Sequence, residues 1–247
     1  MTERSVGEGE RVTTPDARIT VLPDPAEVFD PGQPWLSRVL HPLVSVDLAA
    51  VHPRWSGRIH LLSPVEPESG LLGEETTRHH DDQVTENWIS FHVDDDGRYR
   101  FLGDRRFFEI EDQEARGRVS ASLAATYAQA QEQLAGTRVR YAQLGALVWG
   151  DPAEPTRQRL GASTDNALVD QLGGDPGHGN WTAFEPPAAY VLDQDDPVTP
   201  TLRLADGRPF TFVAATAGYP WRTQGPDAIL LFFEPETRTA VLTFDWS

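Results

Sequence analysis

The chain has 247 residues and a formal net charge of −17, from 38 Asp+Glu against 21 basic residues, every one of them arginine. With no lysine and no cysteine, Schiff-base catalysis, Walker-type phosphate loops, thiol nucleophiles, disulfides, iron–sulfur clusters and cysteine-bound zinc are excluded. What remains is chemistry with His, Asp, Glu, Ser, Thr, Tyr or Arg, or binding without chemistry.

A composition of 39% hydrophobic and 24% charged residues suits a globular protein with a sizeable core, in one large domain or two intimate lobes. No apolar run approaches the roughly 18 residues of a membrane helix, and residues 1–10 have no apolar stretch of the signal-peptide kind. A cytoplasmic protein without a membrane association is expected. The acid excess is spread along the whole chain, so it marks the surface rather than a tail.

Residues 1–17 are polar and read as a flexible tail. Arg18-Ile-Thr-Val-Leu22 reads as a short strand closed by Pro23 and Pro25, and the prolines up to Pro53 forbid long helices. Leu43–Asp47 and Arg58–Ser63 are further strands. Residues 63–86 hold seven acids, Pro64 and Pro67 without apolar periodicity, and read as a long surface loop. Trp88-Ile-Ser-Phe-His-Val93 alternates cleanly, turns at Asp94-Asp-Asp-Gly97 and returns through Arg98–Leu102, which predicts a β-hairpin. The three aspartates lack the EF-hand spacing and its closing glutamate, so they read as a turn.

Val119, Leu123, Tyr127, Ala130 and Leu134 form one apolar stripe at helical spacing. This predicts a long amphipathic helix over about 113–134, capped by Asp112 and stopped by Gly136. Residues 150–160 are a polar connector, dividing an N-terminal lobe (18–150) from a β-rich C-terminal lobe (160–247). In the second lobe Ala188–Leu192, Thr201–Ala205, Phe210–Ala214, Ala228–Phe233 and Thr239–Phe244 read as strands. The last two form a hairpin whose apolar first strand sits inside a sheet. The fold class is α+β, mostly antiparallel, with one long helix.

Among the histidines only His79-His80-Asp81-Asp82 clusters. Adjacent side chains in a loop rarely converge on one ion, and no HExxH or facial-triad spacing is present. No metal site and no cofactor are expected. Gly161-Ala-Ser-Thr164 lacks the second glycine and preceding strand of a nucleophile elbow, so no catalytic residue is assigned. Two Gly/Pro/Trp segments draw more interest: Gln171-Leu-Gly-Gly-Asp-Pro-Gly-His-Gly-Asn-Trp181 and Gly218-Tyr-Pro-Trp-Arg-Thr-Gln-Gly225. Glycines there let the backbone pack tightly beneath an aromatic ring. Buried indole is the commoner state of tryptophan. Where instead they face solvent, Trp181, Tyr219, Trp221 and His178 become candidate binding residues.

The run Gln171–Pro176 before Trp181, the late strand ending Leu230-Leu-Phe-Phe233 and the final hairpin resemble the YwqG-like family of bacterial proteins. The resemblance covers about residues 165–247. It implies an α+β fold and no established catalytic activity, and the occurrence of some relatives near polymorphic toxin systems implies an immunity or accessory role. The leading functional expectation is a non-catalytic protein that binds a basic protein partner, because a field of this sign attracts basic surfaces and repels nucleic acid. The alternatives are a His/Asp-dependent hydrolase using His79, His80 and His178, or a carbohydrate or peptide binder built on Trp181, Tyr219 and Trp221.

Overall fold

The computed structural model describes residues 9–67, 70–148, 166–196 and 198–246. In chain order the elements are β1 (Glu10–Val12), β2 (Ile19–Val21), α1 (Pro25–Val28), α2 (Leu36–Val39), β3 (Leu40–Asp47), β4 (Arg58–Pro64), β5 (Trp88–Val93) and β6 (Tyr99–Phe101). There follow α3 (Glu109–Ala115), α4 (Ala121–Leu144), β7 (Val169–Leu172), β8 (Tyr190–Asp193), β9 (Thr201–Leu204), β10 (Thr211–Thr216), β11 (Ala228–Glu234) and β12 (Thr239–Asp245). A seven-stranded sheet in the order β1-β7-β10-β11-β12-β5-β6 is accompanied by a three-stranded sheet β2-β3-β4 and the pair β8-β9. All of these pairings are antiparallel. The expected α+β class, with mostly antiparallel strands and one long helix, is the observed one.

The expected hairpin of β11 and β12 forms in full, with Leu231 opposite Leu242, and β10 occupies the other edge of β11. Side chains along a strand alternate between faces. Ile229, Leu231 and Phe233 therefore enter the main core, while Leu230 and Phe232 enter a second core with Trp88, Trp181, Tyr190, Leu202 and Phe210. The main core lies between this sheet, the sheet β2-β3-β4 and the stripe of α4. The second lies under the β8–β9 pair.

The connector at 150–160 lies outside the described residues. Strands from both sides of it share one sheet, because β12 pairs with β5 from Thr239 opposite His92 to Thr243 opposite Trp88.

Three segments differ from their sequence reading. Glu10–Val12, expected within a flexible tail, pair with β7 as β1, and Arg18 binds Glu10 and Asp16 beside them. The helix expected over 113–134 is two helices. The first, α3, ends before Gly117 in the left-handed region at φ 74. The second, α4, starts at Ser120, whose Oγ accepts from the Leu123 N–H, and ends at Gly145, left-handed at φ 66. Gly136 sits inside α4 rather than stopping it. Its intrinsic cost there is about 1 kcal/mol, and burial of Leu134 and Thr137 on either side offsets it. The stripe of Leu123, Tyr127, Ala130 and Leu134 is buried as its spacing predicts.

Residues 63–86, expected as an exposed loop, are only partly so. Val65, Leu72 and Val84 are fully buried, and Glu66 and Thr76 nearly so. Two short 3-10 turns joined by a kink at Thr76 span Glu74–His79, and the Thr76 hydroxyl donates to the Phe107 carbonyl. The apolar residues here plug the core one at a time, at spacings that match no regular element, so no period betrays them.

Both faces of β11 are covered, so truncation there opens a cavity. Leu231→Ala should lower the unfolding free energy by about 2–5 kcal/mol. Glu236→Ala, which removes only an exposed ion pair to Arg208, should change it by about 0.5 kcal/mol or less. Urea denaturation of the two variants measures the contrast, and equal losses would contradict the placement of β11.

Candidate functional site

Trp181 and Trp221 are both 1% exposed and lie in different cores on opposite faces of the large sheet. Trp181 donates from Nε1 to the Gly177 carbonyl and meets the Trp88 ring edge-on at 5.9 Å. The reading of the nearby glycines as room for an aromatic holds at Gly179. A Cβ there would lie 3.0 Å from the Trp181 ring and 2.2 Å from an Asp245 carboxylate oxygen. Tyr219 is exposed, and His178 is exposed and donates from Nε2 to the Asp196 carbonyl. The four residues expected together as a binding surface are thus not assembled into one.

The adjacent histidines serve different partners. His79 Nε2 lies 2.8 Å from Asp112, a buried carboxylate that Arg78 and Arg116 also engage. His80 donates from Nε2 to the Gly73 carbonyl. Among the described residues no group of three or more potential metal ligands converges.

A buried polar layer lies beneath α4 that sequence reading missed. Glu66, at the end of β4, accepts from the N–H groups of Glu109 and Ile110 and from the Tyr127 hydroxyl. It thereby caps α3, which has no capping side chain of its own, and ties it to α4. Burial pushes the Glu66 carboxyl up to about 7, against three donors that favour the charged form. Nearby, Arg222 donates to the Pro64 carbonyl and is lowered to about 10 by desolvation. Desolvation, helped by the Arg222 and Arg138 charges, pulls His41 down to about 3. Each of Glu66, Arg222 and His41 is at most 3% exposed, so the layer braces the helix and is closed to a substrate.

The accessible candidate is a groove at the start of β5. Residues 182–188 form a strap, and between it and residues 77–86 lies a hollow of 570 Å³ lined by Thr77, His80, Asp81, Glu86, Phe184 and Glu185, among others. A second hollow of 490 Å³ flanks the same strap on the β8 side, where Val191 is exposed. The strap is held in place: Thr85 donates to the Glu185 carbonyl, the Trp88 indole to the Phe184 carbonyl, and Ala189 N–H to the Asp82 carbonyl. Asp81, Glu86 and Glu185 make no ion pair among the described residues. The groove is therefore a concavity with an apolar floor and, at its rim, carboxylates without a cationic partner, of which Asp81 accepts from the N–H groups of Gln83 and Val84.

This chain matches no family model, no curated protein and no solved structure. No helix among the described residues is long and apolar enough to cross a membrane.

The Glu66 environment has a measurable consequence. In the native state the carboxyl holds its proton to about pH 7, whereas the unfolded chain releases it near the ordinary 4.5. The stability it contributes is complete below 4.5 and is lost as pH rises through about 7. At 1.36 kcal/mol per pKa unit the loss is on the order of 3 kcal/mol. Glu66→Gln cannot ionise, so the stability of the wild type relative to this variant should fall by that amount between pH 4 and pH 8 in urea titrations. A difference that stays flat over this range would show that Glu66 titrates normally.

Proposed function

We propose that this chain is a non-catalytic protein that binds a basic protein partner through the acidic groove beside the strap. The observation that carries the reading is the pairing of an apolar floor at Phe184 and Pro186 with the carboxylates of Asp81, Glu86 and Glu185, which make no ion pair among the described residues. An arginine or lysine side chain of a partner fits such a surface by laying its methylene stem on the floor and its charged head against the rim. The charge of −17 adds long-range steering, which raises the association rate of a basic partner and weakens as salt shortens the field. The resemblance to the YwqG-like family adds the biological form of the reading, a cytoplasmic immunity or accessory factor for a basic toxin. A hydrolytic role finds less support, since His79 is engaged by an already ion-paired carboxylate and His178 by a carbonyl.

The groove and the overall field are separable by experiment. The triple variant Asp81→Asn, Glu86→Gln, Glu185→Gln and the remote triple Glu27→Gln, Asp95→Asn, Glu132→Gln each remove three negative charges. Fluorescence anisotropy with a labelled arginine-rich peptide should show about tenfold weaker binding for the groove triple, or roughly 1.4 kcal/mol, and less than about twofold for the remote one. Equal weakening would assign recognition to the field alone and would remove the groove from it.

A further inference from the structure

A hollow of opposite character lies at the other end of β5. It encloses 190 Å³ and is lined by Arg54, Arg58 and Arg238, with Trp55, Val93 and Phe233 among its walls. None of the lining residues is acidic, in a chain whose acids outnumber its arginines 38 to 21. Arg18, Arg105 and Arg208 are each paired with a nearby carboxylate. Arg54 and Arg58 form no ion pair among the described residues, and the carboxylate nearest Arg238 is 3.6 Å away on the fully exposed Asp95.

The hollow is also organised. Arg238 is held by donating from Nε to the Val93 carbonyl at 2.7 Å and from Nη2 to the Asp94 carbonyl. Its backbone is left-handed at φ 55, a conformation that costs a non-glycine residue free energy and persists only where the surroundings impose it. Trp55 is fixed between the His52 ring at 4.7 Å and the Phe233 ring, which it meets edge-on at 5.8 Å. Three arginines thus line one small space with apolar walls, and no acid lines it with them.

We propose that this hollow is a binding site for a compact oxyanion, either free phosphate or the phosphate group of a small monoester. Guanidinium forks match tetrahedral oxyanions with paired hydrogen bonds. The Ser56 hydroxyl, which also lines the space, supplies a further donor. The volume equals that of about six liquid waters, room for a phosphate and a small substituent. A polynucleotide is disfavoured twice, by that size and by the negative field of the rest of the molecule.

The test is isothermal titration calorimetry of the full chain with inorganic phosphate and with phenyl phosphate, each against sodium chloride at matched ionic strength. Saturable phosphate binding with a dissociation constant of about 1 mM or tighter is expected. Arg54→Gln/Arg58→Gln should weaken it at least about tenfold. Arg100→Gln/Arg118→Gln removes two other exposed arginines that form no ion pair among the described residues and should stay within about twofold of wild type. Ser56→Asp, which puts a carboxylate in the hollow at an exposed position, should abolish binding and guards against misfolding of the arginine pair. Tighter binding of phenyl phosphate identifies a monoester stacked on Trp55 as the source of the group, and equal or weaker binding identifies free phosphate. No saturable heat up to about 20 mM, or equal weakening by both arginine pairs, would overturn the proposal.

Discussion

A strand with no polar side chain over five residues must be shielded from water on both faces, and Ile229–Phe233 imposes that requirement on everything around it. Its odd-numbered side chains need one cover and its even-numbered ones another. The first comes from the sheet β2-β3-β4 and the stripe of α4, and the second from the β8–β9 pair with Trp88 and Trp181. Burying each such Leu or Phe is worth about 1.5–3 kcal/mol, so the layered arrangement follows from this one run. The two hollows follow as well. The acidic groove opens where the strap leads into the outer layer, and the arginine hollow opens at the opposite end, where β11 turns into β12.

The linings of the two hollows differ in charge, although Asp95 stands 3.6 Å from Arg238 at the arginine end. Strand β5 begins just after Glu86, on the rim of the acidic groove, and ends at Val93, in the wall of the arginine hollow. A net charge of −17 describes the far field, which steers partners, but not the near field, which selects them. The lining at one end offers the carboxylates of Asp81, Glu86 and Glu185, and the lining at the other offers Arg54, Arg58 and Arg238.

The buried layer under α4 has a different part. Glu66 reaches two N–H groups of α3 and the hydroxyl of Tyr127 at once, which joins β4, α3 and α4 at a single carboxyl. Burial of that group makes the joint sensitive to pH, because its protonated form is the one the interior favours. Nothing in the stretch around Glu66 sets it apart from the six other acids of residues 63–86. Only the partners brought from residues 109–127 distinguish it.

The alternation of Trp88–Val93, the Asp-Gly turn after it, the apolar run of β11 and the spacing of Leu123, Tyr127, Ala130 and Leu134 are local patterns, and each folded as local physical chemistry dictates. Helix ends were less legible, because Gly117, Gly136 and Gly145 are the same residue in sequence and only backbone conformation separates a stop from a tolerated interior glycine. The candidate sites were the least legible of all. Trp181 and Trp221 share a Gly/Pro/Trp neighbourhood, yet alternate packing sent them to opposite faces of a sheet. Asp81 and Glu185 line one hollow, and Arg58 and Arg238 another, across more than a hundred residues of chain. The sequence by itself determined the fold class, the central hairpin and the sign of the far field, since these depend on neighbours in the chain and on sums over it. The tertiary structure decided which charges stand together and which rings are buried, since those depend on contacts that no local period encodes.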